Sequence, residues 1–117
     1  YWAEGRKGNG VGEKIVYMSP FAQEIRGLYI EPGLTSSAQD FRENGRPLKI
    51  RIIFGNGQVG TADLSNFHYS EGASLYIEFE DPIITDSCEI IIEEAQSGTE
   101  NNNTCISTMF LVGEQVG

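Results

Sequence analysis

The run LKIRIIF, Leu48 to Phe54, narrows the folds open to this chain more than any other stretch. Leu48, Ile50, Ile52 and Phe54 fall on one face of an extended strand, and Lys49, Arg51 and Ile53 on the other. Successive strand side chains point to opposite sides, so the pattern predicts a central strand with one fully buried face. The alternation recurs. Ser74 to Glu80 sets Leu75, Ile77 and Phe79 against Tyr76, Glu78 and Glu80, and Cys88 to Ala95 sets Ile90 and Ile92 against Glu89, Ile91 and Glu93. Glu24 to Glu31 does the same with Leu28 and Ile30, while Lys14–Met18, Val59–Leu64 and Thr104–Val112 are weaker strands. Helical periodicity sustained over about 11 residues is missing, apart from a single turn around Ser36 to Phe41. Pro20, Pro32-Gly33, Gly55-Asn56-Gly57 and Pro82 punctuate the runs and are predicted to end strands. Seven or eight short strands joined by such turns predict an all-β fold, an antiparallel β-sandwich or jelly roll.

With 117 residues the chain is expected to form a single domain, 1–117, and its start at Tyr-Trp without Met predicts excision from a longer polypeptide. Eight basic against 17 acidic residues leave a net charge of −9. That balance repels nucleic acid and anionic lipid, and no basic patch offsets it. No apolar run is long enough to span a membrane, so membrane insertion is not expected. Two cysteines, Cys88 and Cys105, permit one disulfide between strands predicted to be neighbours, as suits an exported protein. A pair of reduced, half-buried thiols fits the alternation equally.

The opening, YWAEGRKGNGVGEKI, has the look of a site-forming loop. Gly5, Gly8, Gly10 and Gly12 let the backbone fold back tightly. A phosphate-binding loop would need a helix after the glycines, and the chain instead continues into the strand-like Lys14-Ile15-Val16-Tyr17. Trp2 offers an aromatic plate, and Glu4 and Glu13 offer hydroxyl acceptors, which is chemistry suited to sugars.

Taken together, Trp2-x-Glu4-Gly5, Gly10-Val11-Gly12-Glu13, Asn44-x-Arg46-Pro47 and Thr104-x-Ile106-Ser107 resemble the NADase-type glycan-binding domain, in the right order over nearly the whole chain. The resemblance implies a galactose-binding, discoidin-like jelly roll of an exported bacterial protein, secreted or held at the cell surface, with glycan as ligand and other domains of the parent protein as partners. Three positions depart from the family pattern. Gly33-Leu34 stands where a Gly-Tyr turn is usual, Asn44-Gly45 where an asparagine pair is usual, and Asn103 where an aspartate precedes the threonine.

Ligands of such sandwiches are held by loops at one end. The expected ligand-binding set is Trp2, Glu4, Glu13, Phe41, Asn44 and Arg46, with Tyr29 an alternative stacking face. Arg46 brings a rigid fork of donors and Asn44 a donor and an acceptor. Each also has a structural reading: Trp2 as a core plug, Arg46 as a clamp paired with Glu13 or Glu4, Asn44 as a turn former. Asp40, Glu43, Asp63 and Glu100 are oxygen ligands of the kind a structural calcium prefers, although no D-x-D-x-D-G loop is present. Catalysis is not expected, since His68 is the only histidine and the other carboxylates sit on wet strand faces. The expectation is a non-catalytic carbohydrate-binding module. Its alternative is a structural or protein-interaction sandwich without a sugar site.

Overall fold

A computed structural model describes residues 2–3 and 10–116. Its elements are β1 (Trp2–Ala3), β2 (Lys14–Pro32), α1 (Ala38–Glu43), β3 (Arg46–Phe54), β4 (Val59–Asp63), β5 (Leu75–Gln96) and β6 (Cys105–Gln115). The described strands are hydrogen-bonded in the order β1-β6-β2-β5-β3-β4, and every pair is antiparallel. The all-β expectation holds.

Two long strands make the sandwich. Lys14–Met18 of β2 pairs with Ile91–Ser87 of β5, and Gly27–Ile30 pairs with Glu78–Leu75, with register breaks between. Both strands therefore run through one layer, turn a corner, and return in the other, as strands that switch sheets through bulges do. One layer is β4, β3, the second half of β5 and the first half of β2. The other is β1, β6, the second half of β2 and the first half of β5. Leu28 and Ile30 from one layer share a single core with Ile50, Ile52, Phe54 and Ile90 from the other. Phe54 and Phe79 meet edge to face across the layers, with centroids 5.5 Å apart.

Three local expectations change. Pro20 and Pro82 do not end strands, because each falls in an unpaired stretch at a corner, where a missing N–H costs no ladder bond. The four predicted strands around them are two. β3 lies one place in from the edge, and β2 and β5 hold the centre. Cys88 in β5 and Cys105 in β6 are not on neighbouring strands, since β2 lies between, and both are buried thiols not joined in a disulfide. Cys88 stands opposite Tyr17 at the start of β2, whereas Cys105 accepts from the Gly33 amide just past its other end, so the register holds the two thiols in different layers. The turn after β3 is as read: Gly57 at φ 93° donates to the Phe54 carbonyl, and Phe54 donates to the Gln58 carbonyl, closing a short hairpin.

Candidate functional site: a cleft at the end of the sandwich

The β2–α1, β3 and β5–β6 connections meet at one end. Ser37 caps α1 by accepting from the Asp40 amide at 3.0 Å. A six-residue helix cannot hold itself in water, so this cap and its tertiary ties position Phe41. Ser37→Ala is expected to cost about 1 kcal/mol in thermal unfolding and to speed amide exchange at Asp40 first.

The 97–101 loop folds over the end of α1. Thr99 donates to the Arg42 carbonyl, and the amides of Glu100 and Asn101 donate to that of Glu43. Gly98 packs against the Glu43 and Asn44 backbone with no room for a side chain, so only glycine fits. Gly45 exchanges hydrogen bonds with Asn103 and Cys105, and Ser107 Oγ donates to the Gly33 carbonyl while accepting from the Thr35 amide.

Between these loops lies a cleft of about 370 Å³, lined by Phe41, Asn44, Arg46, Tyr69, Gln96 and Thr99 among others. Phe41 stacks on Tyr69 with centroids 5.5 Å apart and meets Phe67 edge-on at 5.8 Å. The Arg46 guanidinium sits over the Phe41 ring, 4.8 Å from its centroid. Its Nη1 donates to the Phe67 carbonyl at 3.0 Å and its Nη2 reaches Gln96 Oε1 at 3.4 Å. Partial burial lowers its pKa, a sign of how far the charge has left water. Asn44 is likewise engaged, donating from Nδ2 to the Asp40 carbonyl and accepting from Asn101 at Oδ1.

The cleft thus brings Phe41, Asn44 and Arg46 together. The Trp2 backbone pairs with Ile106 while Gly45 bridges Thr104, so Trp2 enters the same end. Glu4 lies outside the described residues. Glu13 is elsewhere: its carbonyl accepts from the Ile92 amide, on the β2 side of β5 and four residues along from Gln96, which pairs with Arg46 on the β3 side. By strand spacing that is roughly 16 Å, too far for the expected clamp between Arg46 and Glu13. Arg46 is a clamp to the 64–70 turn instead. Tyr29 faces outward from the other layer, stacked on Phe110. Tyr69, Gln96 and Thr99 were not anticipated, although the alternation of Phe67 and Tyr69 around His68 was a usable clue. Asp40 binds Ser36, Glu43 binds Gln39 and Asp63 binds Ser65, and among the described residues no three metal-ligating side chains converge.

Arg46→Ala removes a charged donor from the Phe67 carbonyl and a cation from the Phe41 face. It is expected to cost about 2 kcal/mol in urea unfolding, with Arg46→Lys recovering less than half, because an ammonium cannot bridge both acceptors.

Residues 1–111 match the family described as NAD glycohydrolase translocation F5/8 type C domain. The chain belongs to this family. The translocation-domain fold is also that of a solved structure, described as the NMR structure of the Streptococcus pyogenes NAD+-glycohydrolase translocation domain. The two share 24% identity with a TM-score of 0.69, over 94% of each chain. No curated protein matches. The discoidin-like part of the sequence resemblance stands, because F5/8 type C is that fold, and the domain is non-catalytic. The glycan part is overturned. The family is defined by translocation, not by sugar binding, and glycan is withdrawn as the partner. Asn44 and Arg46, expected to meet sugar hydroxyls, hydrogen-bond loop carbonyls and side-chain amides here.

Proposed function

We propose that this domain is the non-catalytic translocation module of a larger exported bacterial protein, acting through contact with protein, either a separate partner or another domain of the parent chain. The observation that carries the reading is the family match over residues 1–111. An extracytoplasmic location fits a translocation role. Among the described residues no helix is long and apolar enough to cross a membrane.

The cleft contributes as a rigid rim. Trp2, Phe41, Asn44 and Arg46 are proposed to shape a protein-contact surface at that end, with Glu13 supporting the strand beside it. The test compares delivery of the parent polypeptide across a target membrane with and without this domain, alongside the activity of whatever it carries. Delivery is expected to fall while activity in solution is unchanged. Undiminished delivery without the domain would remove the reading.

A further inference from the structure

We infer that the groove between β4 and the first half of β5 takes a large apolar side chain from an extended, basic segment of a separate protein, a leucine or phenylalanine flanked by lysine or arginine. The inference rests on the reading of the domain as a protein-contact module and names the partner's chemistry.

The groove begins with one residue. β4 pairs with β3 so that Gly60 stands opposite Ile52 and Ala62 opposite Ile50. Residues paired across a ladder share a face, and Ile50, Ile52 and Ala62 are all buried, so Gly60 occupies a core-facing position. Strands keep glycine where φ is positive or where another backbone comes close. Neither holds here. The φ of Gly60 is not positive, and a Cβ built on it would meet nothing within 4 Å. A valine would fit and would favour the strand, so the fold forgoes a stabilising side chain and leaves a hole.

The hole opens to one side. Residues 75–78 of β5 pair with β2, and among the described residues their other side is unpaired, while β4 pairs with β3 alone. These two edges, one from each layer, flank a cavity of about 430 Å³. Ile52, Phe54, Ile77 and Phe79 line its interior, and all four belong to the core or pack against it. A leucine side chain entering here leaves water for an existing apolar wall, which is worth about tenfold or more in affinity.

The mouth sets the partner's charge. Glu78, Glu80 and Asp81 line it, all three exposed, and no lysine, arginine or histidine does. Among the described residues none of the three is in an ion pair. Carboxylates around an apolar slot attract a cation on either side of the inserted group. They repel anionic lipid and a second copy of this chain, which carries a net charge of −9. A folded domain docks over a broad surface of about 800 Å², whereas this mouth is bounded by single strands and suits a linear segment.

The experiment titrates the domain with a capped peptide of about seven residues, a central leucine between serines with paired lysines at each end, and follows backbone amide shifts by NMR. Saturable shifts at residues 59–61 and 77–81 below about 1 mM peptide are expected. Serine in place of the peptide's leucine should weaken binding about tenfold, and Glu78→Gln with Glu80→Gln about fivefold. Gly60→Val fills the hole. It should raise the melting temperature by about 3–6 °C while weakening binding about tenfold. A Gly60→Val domain that is more stable and still binds overturns the inference, as do unmoved groove amides or shifts centred on the cleft. Binding that survives loss of the leucine is charge attraction alone and overturns it too. The parent polypeptide should bind the peptide with the same affinity; loss of binding there would show the groove covered by another domain of the same chain and overturn a separate partner. Amide shifts and delivery of the attached polypeptide are separate readouts, so this inference and the proposed role fail independently.

Discussion

Replacing Ile90 by alanine is expected to lower the unfolding free energy by about 2–5 kcal/mol. Ile90 has no exposed surface. It sits on β5 where that strand is flanked on both sides, opposite Ile15 of β2 and Ile52 of β3. The cavity left there is walled by paired strands that cannot collapse inward without breaking ladder bonds, so relaxation is limited. A domain of this size has roughly 5–15 kcal/mol in total, and the melting temperature should drop by about 8–20 °C. Ile91→Ala is the control. Its side chain lies on the outer face, half-buried among the Lys14–Glu89 and Arg51–Glu93 ion pairs, and the same truncation should cost well under half as much. Equal losses for the two variants, measured by urea unfolding, would show that the two faces of β5 are not distinguished as described.

That contrast between neighbouring residues was legible in the sequence, because burial on one face leaves a period-two trace in each strand by itself. The corners were not. Pro20 and Pro82 look the same locally whether a strand ends or bends through an unpaired stretch, and only the partner across the ladder decides. The expected adjacency of the cysteine strands failed for the same reason, while the choice between disulfide and thiols stood open: strand order is a property of the whole sheet, and nothing near Cys88 or Cys105 says that β2 lies between them. At the site, Phe41, Asn44 and Arg46 were readable as a group because they are close in sequence. Gln96 joins them through the register that pairs it with Arg46, and Tyr69 through the turn that Leu64 anchors. Use was harder to read than location. An arginine fork beside an asparagine serves a sugar or a loop carbonyl with the same atoms, and here the carbonyls of Phe67 and Asp40 take them.

Alkaline pH should destabilise this domain through buried Cys88 and its half-buried neighbour Tyr17. Cys88 and Tyr17 are register partners on β5 and β2. Burial pushes the Cys88 thiol up from 9.0 to about 11, because the thiolate would lose its water in the core. The Tyr17 phenol is raised as well, first by burial and then by proximity to Cys88. Both are neutral when protonated, and the unfolded chain releases these protons at lower pH than the folded one. Above pH 9 the unfolded state binds fewer protons, so stability falls as pH rises. The contribution is fully present below about pH 8 and declines between the unfolded and folded values, with Cys88 alone removing about 2 kcal/mol by pH 11. Urea midpoints measured from pH 8 to pH 11 should fall steeply, and Cys88→Ala should flatten the slope, both by removing the thiol and by relieving Tyr17. At pH 8 the same burial leaves Cys88 protonated and inaccessible, so iodoacetamide should modify it only in urea. An alkaline slope unchanged in Cys88→Ala would locate the titrating group elsewhere in the fold.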